Sequence, residues 1–208
     1  MPNLVRINII GEAGAGKSTL AAGLAEEGFE VFRPSDVIRA FAQAHSFELR
    51  GRHDYVAAHR LMVAEDQYAM IRPLLERDPG DVAIDGLRVL AHANLLEREL
   101  DMHTIALDKP PDMTDEAWAL ECYERVQASK ELRSYRDKAI IDNFAAFQAD
   151  VAADRVPGNE FEPNISDVMA MAQTRGLVIH ANQPPETVLG QTRAYIASQR
   201  YPNTSQQR

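Results

Sequence analysis

The chain has 208 residues, 45% hydrophobic and 25% charged, the balance of an ordinary soluble globular protein and enough to bury the core of one α/β domain. A formal net charge of −9 argues against general nucleic-acid binding, and no apolar run approaches the ~20 residues that a membrane helix needs. The one cysteine, Cys122, excludes an intramolecular disulfide and suits a reducing compartment. A strand that starts within a few residues of Met1 leaves no room for a signal peptide, so a cytoplasmic location is expected.

Residues 4–10 read as a buried strand rich in β-branched side chains. Gly11-Glu12-Ala13-Gly14-Ala15-Gly16-Lys17-Ser18 follows, a complete phosphate-binding P-loop. Its glycines let the backbone turn tightly enough for successive N–H groups to point inward around a phosphate. Lys17 is spaced to reach the β- and γ-phosphates, and the Ser18 hydroxyl to ligate Mg²⁺. Residues 18–28 read as a helix with Leu20 and Leu24 on one face and Gly28 as its stop. Strand, loop and helix N-terminus together confirm the motif, because the helix dipole adds to the anion site. The loop residues Gly11, Ala13, Gly14, Ala15, Gly16, Lys17, Ser18 and Thr19 are the expected contacts of ATP.

Residues 30–32 are a second, short strand ended by Pro34, and Ser35 is the expected N-cap of the next helix. Asp36 and Arg39 lie three apart and share a face of that helix. A long helix is predicted over about 55–76, kinking or ending near Pro73. Tyr55, Met62, Tyr68 and Met70 on it read as core, and His53 and His59 as surface or partly buried. Pro79-Gly80 marks a turn, and residues 81–85 a third strand closed by Asp85, as a Walker B strand is. Asp85 is a candidate Mg²⁺ ligand beside Ser18, although strands also end in Asp merely to begin a turn. In Asp85-Gly86-Leu87-Arg88, an Arg just past the carboxylate can grip a phosphate through two parallel bonds.

A helix through Leu95, Leu96 and Leu100 leads to a fourth strand at 103–108, and Pro110-Pro111 breaks the chain before a charged helical stretch, about 115–154, divided near Ser134. Arg125, Lys130, Arg133 and Arg136 there are candidate cations for a γ-phosphate, or the solvated face of a helix also carrying Glu121, Glu124, Glu131 and Asp137. Residues 176–180 are a fifth strand, Pro185 opens a last helix, and the polar tail 198–208 is expected to fray. Strands alternating with helices imply a five-stranded parallel sheet with helices on both faces. Residues 1–197 are expected to be one domain, with insertions at about 35–76 and 113–155. The histidines show no metal-ligand spacing.

With this P-loop, Asp36 and Arg39 after the second strand, and Asp85-Gly86-Leu87-Arg88 after the third, the chain resembles the nucleoside monophosphate kinases and their dephospho-CoA-kinase-like relatives. The resemblance implies a small helical lid after Pro110-Pro111 on the five-stranded P-loop fold, and Mg²⁺-ATP-dependent phosphoryl transfer to a small acceptor, most simply a ribo- or deoxyribonucleoside monophosphate, by a monomer or homodimer. Asp36, Arg39, Asp85 and Arg88 would then serve the acceptor, Ser18 and Asp85 the metal, and Lys17, Asp36, Arg88, Arg125 and Arg133 catalysis. Asn182, after the fifth strand, would lie near the base of ATP. The chain departs from this pattern in three ways: its third strand lacks the Phe-Glu ending of dephospho-CoA kinases, its Arg88 spacing is one residue shorter than in adenylate kinases, and its lid region lacks zinc-binding cysteines. A hydroxyl-phosphorylating kinase, with Asp36 as general base, and a nucleotide-binding regulatory ATPase without a small acceptor are the alternatives. No Asn-Lys-x-Asp motif for reading guanine is present.

Overall fold

The computed structural model describes residues 3–50, 52–77, 79–129, 138–153, 160–161 and 163–201. Its strands are β1 (Arg6–Gly11), β2 (Glu30–Phe32), β3 (Val82–Asp85), β4 (Met102–Asp108) and β5 (Leu177–His180). All pair in parallel, in the order β2-β3-β1-β4-β5. Parallel neighbours cannot be joined by tight hairpins, so every crossover carries helix. The helices are α1 (Lys17–Glu26), α2 (Pro34–Ala44), α3 (Arg52–Glu65), α4 (Arg72–Leu75), α5 (Leu90–Leu100), α6 (Asp115–Ala128), α7 (Lys138–Ile141), α8 (Phe144–Ala153), α9 (Ile165–Arg175) and α10 (Pro185–Arg200). None among the described residues is long and apolar enough to cross a membrane.

The strands are apolar on both faces, and the two-residue period of the pleat sorts them. Ile7, Ile9, Ala83, Ile105 and Leu107 join a core with Leu20 and Leu24 of α1, Trp118 and Cys122 of α6, Phe147 of α8 and Val188 and Ile196 of α10. Their neighbours in the strands turn the other way. Val82, Ile84 and Met102 meet Met62 of α3 and Leu96 of α5, while Ile10 and Ala106 meet Val168 and Met171 of α9. Burying each such side chain contributes roughly 1.5–3 kcal/mol, so the sandwich of sheet and helices is the main source of stability.

Several boundaries differ from the sequence reading. α2 begins at Pro34, with Arg33 rather than Ser35 at the N-cap and no side-chain cap. Proline's fixed φ suits the first helical turn, so Pro34 starts the helix as well as ending the strand. The long helix predicted over 55–76 stops at Glu65, well before Pro73. Asp66 diverts the chain there by accepting from Tyr68 N at 3.1 Å and Arg72 Nε at 2.7 Å, and Pro73 lies within the separate α4. The charged stretch 115–154 holds α6, α7 and α8, its expected break at Ser134 falling outside the described residues. Helix α9 was not expected from the sequence; Asn164 caps it by accepting from Ser166 N at 2.9 Å. The tail expected to fray from residue 198 stays helical through Arg200, and Tyr201 is the last described residue.

Strand β1 sits between β3 and β4, so the chain leaves its two sides in opposite directions. The crevice beyond its carboxyl end is the place where ligands bind in open α/β sheets. The P-loop occupies it.

Candidate active site

The loop between β1 and α1 owes its shape to two glycines. Gly14 and Gly16 have φ of +84° and +96°, a region costly for any residue with a Cβ. Gly14 is also sterically trapped: a Cβ there would lie 2.4 Å from the carbonyl oxygen of Cys122 on α6. Ala13 and Ala15 face the core, and Gly16 is the N-cap of α1. Lys17 bends back on the loop, its Nζ donating to Gly11 O at 2.9 Å and Glu12 O at 2.8 Å.

Ser18 Oγ donates to Asp85 Oδ2 at 2.9 Å. This bond joins the first turn of α1 to the end of β3 and brings together two hard oxygen donors. Arg33, at the end of β2, places its Nε 3.9 Å from the same Asp85 oxygen. The turn after Asp85 is tied to β1: Gly86 N donates to Ile9 O at 2.9 Å, and Gly86 has φ +91°. Asn8 Nδ2 donates to Leu87 O at 3.1 Å, and Leu87 N donates to Asn8 Oδ1 at 3.2 Å.

At the start of α2, Asp36 and Arg39 share a face as their spacing predicts, with Arg39 Nη1 2.8 Å from Asp36 Oδ1. Arg39 Nε donates to the hydroxyl of Tyr55 at 3.2 Å, which links α2 to α3. Arg88 lies on the turn leading into α5, and its carbonyl accepts from Asn164 N at 2.9 Å. Val89 bridges Pro163 and Ala91 N donates to Glu160 O at 3.1 Å, so Glu160, Pro163 and Asn164 all hold this turn.

Arg125, on the last turn of α6, reaches the P-loop: Nη1 lies 3.5 Å from Gly14 O, Nη2 donates to Glu121, and its guanidinium stands 5.5 Å from the Trp118 ring centre. Arg133, Lys130 and Arg136 lie outside the described residues. Thr19 and Asn182 are exposed, the first on α1 and the second in the turn after β5. Cys122 is buried and its thiol is pushed up to about 12, first by burial and then by Glu12, so it is inert at neutral pH.

Arg33, Asn8 and Asn164 escaped the sequence reading, and Tyr55, expected only as core, also accepts from Arg39. Asn8 carried a signal, since an amide inside an apolar strand must find buried partners. The contact of Arg33 with Asp85 and the bond of Asn164 N to Arg88 O join segments far apart in the chain.

No protein-family model and no curated protein matches this chain. Solved structures do. A gluconokinase from Sinorhizobium meliloti aligns over 100% of both chains at 11% identity, with a TM-score of 0.57. A shikimate kinase from Bacteroides thetaiotaomicron covers 94% of this chain and 99% of its own at 14% identity, with a TM-score of 0.58. A Thermus thermophilus protein covers 94% and 97% at 19% identity, with a TM-score of 0.56. The likeness is one of fold: this chain shares with two solved small-molecule kinases a parallel sheet flanked by helices.

Proposed function

We propose that the protein transfers the γ-phosphoryl group of Mg²⁺-ATP to a small anionic acceptor, a nucleoside monophosphate. The observation that carries this reading is the 2.9 Å bond between Ser18 and Asp85 beside an intact P-loop, with arginines converging from the β2 side.

The residues present fit Mg²⁺. Ser18 Oγ and Asp85 Oδ2 are its preferred donor type, and a site of one carboxylate and one hydroxyl suits a cation that keeps waters and phosphate oxygens as its other ligands. Among the described residues no group of three or more His, Cys, Asp or Glu could form an all-protein cage. Bound Mg²⁺ would offset charge on the β- and γ-oxygens. Lys17 would exchange its contacts with Gly11 and Glu12 for phosphate oxygens, and Arg125 would turn from Glu121 toward the same charge. A phosphate acceptor is ionised at neutral pH and needs no strong base. It needs cations to overcome repulsion between two anions, and Arg39 and Arg88 are those cations in this reading. Asp36 holds Arg39 in orientation.

A second reading has a hydroxyl acceptor, with Asp36 as the base. It is supported by the half-exposed carboxylate of Asp36 in the first turn of α2, and by neighbours that are a gluconokinase and a shikimate kinase.

The test is ADP release with Mg²⁺-ATP against nucleoside monophosphates, dephospho-CoA, nucleosides and sugar acids, with Lys17→Ala as the blank. A monophosphate that raises turnover well above the acceptor-free rate supports the first reading. Stimulation by a hydroxyl acceptor alone, abolished in Asp36→Asn, replaces it with the second. If no acceptor stimulates while ATP binds, the protein is a nucleotide-binding ATPase of another kind.

A further inference from the structure

We propose that Arg33 is a ligand for the anionic group of the acceptor, held on Asp85 until the metal claims that carboxylate. The inference rests on the phosphoryl-transfer reading above and gives a role to an arginine that this reading leaves without one.

Arg33 closes β2, and its backbone is spent on the start of α2, where its carbonyl accepts from Asp36 N at 2.9 Å. Its side chain has one charged contact among the described residues, Asp85 at 3.9 Å, the limit of an ion pair. That partner is engaged elsewhere, because the same Oδ2 accepts from Ser18 at 2.9 Å. The Arg33 side chain is 46% exposed and that of Asp85 9%, so the cation stands on the solvent side of a half-buried carboxylate.

A structural role explains this poorly. An exposed arginine at 3.9 Å from a carboxylate contributes little to stability, and a cation beside a candidate Mg²⁺ ligand opposes metal binding unless it has another anion to meet. Arg39 differs: Asp36 offsets its charge at 2.8 Å and Tyr55 takes its Nε. Arg33 is therefore the guanidinium on this side whose charge is freed when Asp85 turns to a metal. A planar, permanently charged fork suits a phosphate. The chain's own residues then predict linkage: acceptor binding should strengthen when Mg²⁺ and nucleotide are present, by reciprocity of binding free energies.

The experiment is calorimetric titration of ribo- and deoxyribonucleoside 5′-monophosphates into the full chain, with and without Mg²⁺ and the non-hydrolysable analogue AMPPNP. Nucleosides serve as controls. Wild type should bind its preferred monophosphate at least several-fold more tightly with Mg²⁺-AMPPNP present. Arg33→Gln should lose about tenfold or more of that affinity, Arg33→Lys should recover part of it, and both should bind Mg²⁺-AMPPNP as wild type does. Unchanged monophosphate affinity in Arg33→Gln overturns this inference and leaves the kinase reading standing. Weakened Mg²⁺-AMPPNP binding with unchanged acceptor affinity also overturns it, assigning Arg33 to the orientation of Asp85. If wild type binds no monophosphate under either condition, the monophosphate reading and this inference fall together.

Discussion

Asn8 and Leu87 exchange two hydrogen bonds, one from each side chain or backbone donor, across 79 positions of sequence. Asn8 belongs to the central strand and is 1% exposed; Leu87 belongs to the turn that separates Asp85 from Arg88. The amide thus extends the sheet's own pairing beyond the end of β3, and the candidate metal ligand and candidate acceptor arginine are braced by the same side chain.

Replacing Asn8 with Leu keeps the heavy-atom count and branching and removes both bonds, leaving the Leu87 N–H and C=O buried without those partners. Each orphaned group costs about 1–3 kcal/mol. We expect Asn8→Leu to lower the melting temperature by several degrees and to reduce turnover beyond any loss of folded protein. Thermal unfolding and ADP release on the same sample check this. Full activity in a destabilised protein would mean that the turn keeps its shape without Asn8.

Gly14 and Gly16 separate two penalties that usually travel together. Both have positive φ, but a Cβ at Gly16 meets nothing within 4 Å whereas at Gly14 it collides with the Cys122 carbonyl. Gly16→Ala should cost only backbone strain, about 1–2 kcal/mol. Gly14→Ala should cost more, because α6 must move, and it should carry Arg125 away from the P-loop. Urea unfolding of the two variants ranks them; equal losses would show that strain alone matters.

The P-loop was legible because it is local: eight consecutive residues with a strand before and a helix after carry both shape and chemistry. The strands were legible for a similar reason, since their apolar runs are bounded by Gly, Pro and Asp. The early end of α3 was not, because Asp66 stops it through a bond to Arg72, six residues on, that overrides helical periodicity. Arg33 read as a residue before a proline, and nothing nearby shows that Asp85 arrives beside it from β3. Capping by Asn164 was visible in principle as Asn before Ile165-Ser166-Asp167, an acidic first turn after a capping residue.

His59 is 2% exposed and neither ring nitrogen has a hydrogen-bond partner among the described residues. It lies edge-on to His92, whose other neighbours are Tyr68 and Phe161. Burial, then the charges of His92 and Arg60, pushes its pKa from 6.5 down to about 4. Burial also lowers His92, against the raising effects of the Gln67 carbonyl and Asp66. The unfolded chain therefore takes up a proton between pH 6.5 and 4 that folded His59 refuses. Its contribution is complete above pH 6.5 and is lost as pH falls toward 4, amounting to about 2 kcal/mol by pH 5. We expect the stability difference between wild type and His59→Phe to shift by about that amount from pH 7 to pH 5, in favour of the variant. Parallel pH dependence in urea titrations would remove His59 as the source.

Asp81 does at the amino ends of the strands what Asn8 does at the site. Its Oδ1 accepts from Val5 N at 2.8 Å, its Oδ2 accepts from Arg200, and its carbonyl accepts from Glu30 N at 3.0 Å. Arg200 also stands 5.6 Å from the Phe29 ring centre, so one aspartate ties β1, β2 and the end of α10 together. Asp81→Ala removes the side-chain bonds and leaves the Val5 N–H and the Arg200 guanidinium to find water. The expected loss is about 1–3 kcal/mol, with the last turn of α10 loosened. Asp81 precedes β3 while the P-loop and Asp85 lie beyond the strands' carboxyl ends, so nucleotide affinity should be unchanged at temperatures where the variant is folded. Paired measurements of melting temperature and AMPPNP affinity decide it. A drop in affinity without a drop in stability would show that the two ends of the sheet are coupled through β3, and that Asp81 is more than an anchor.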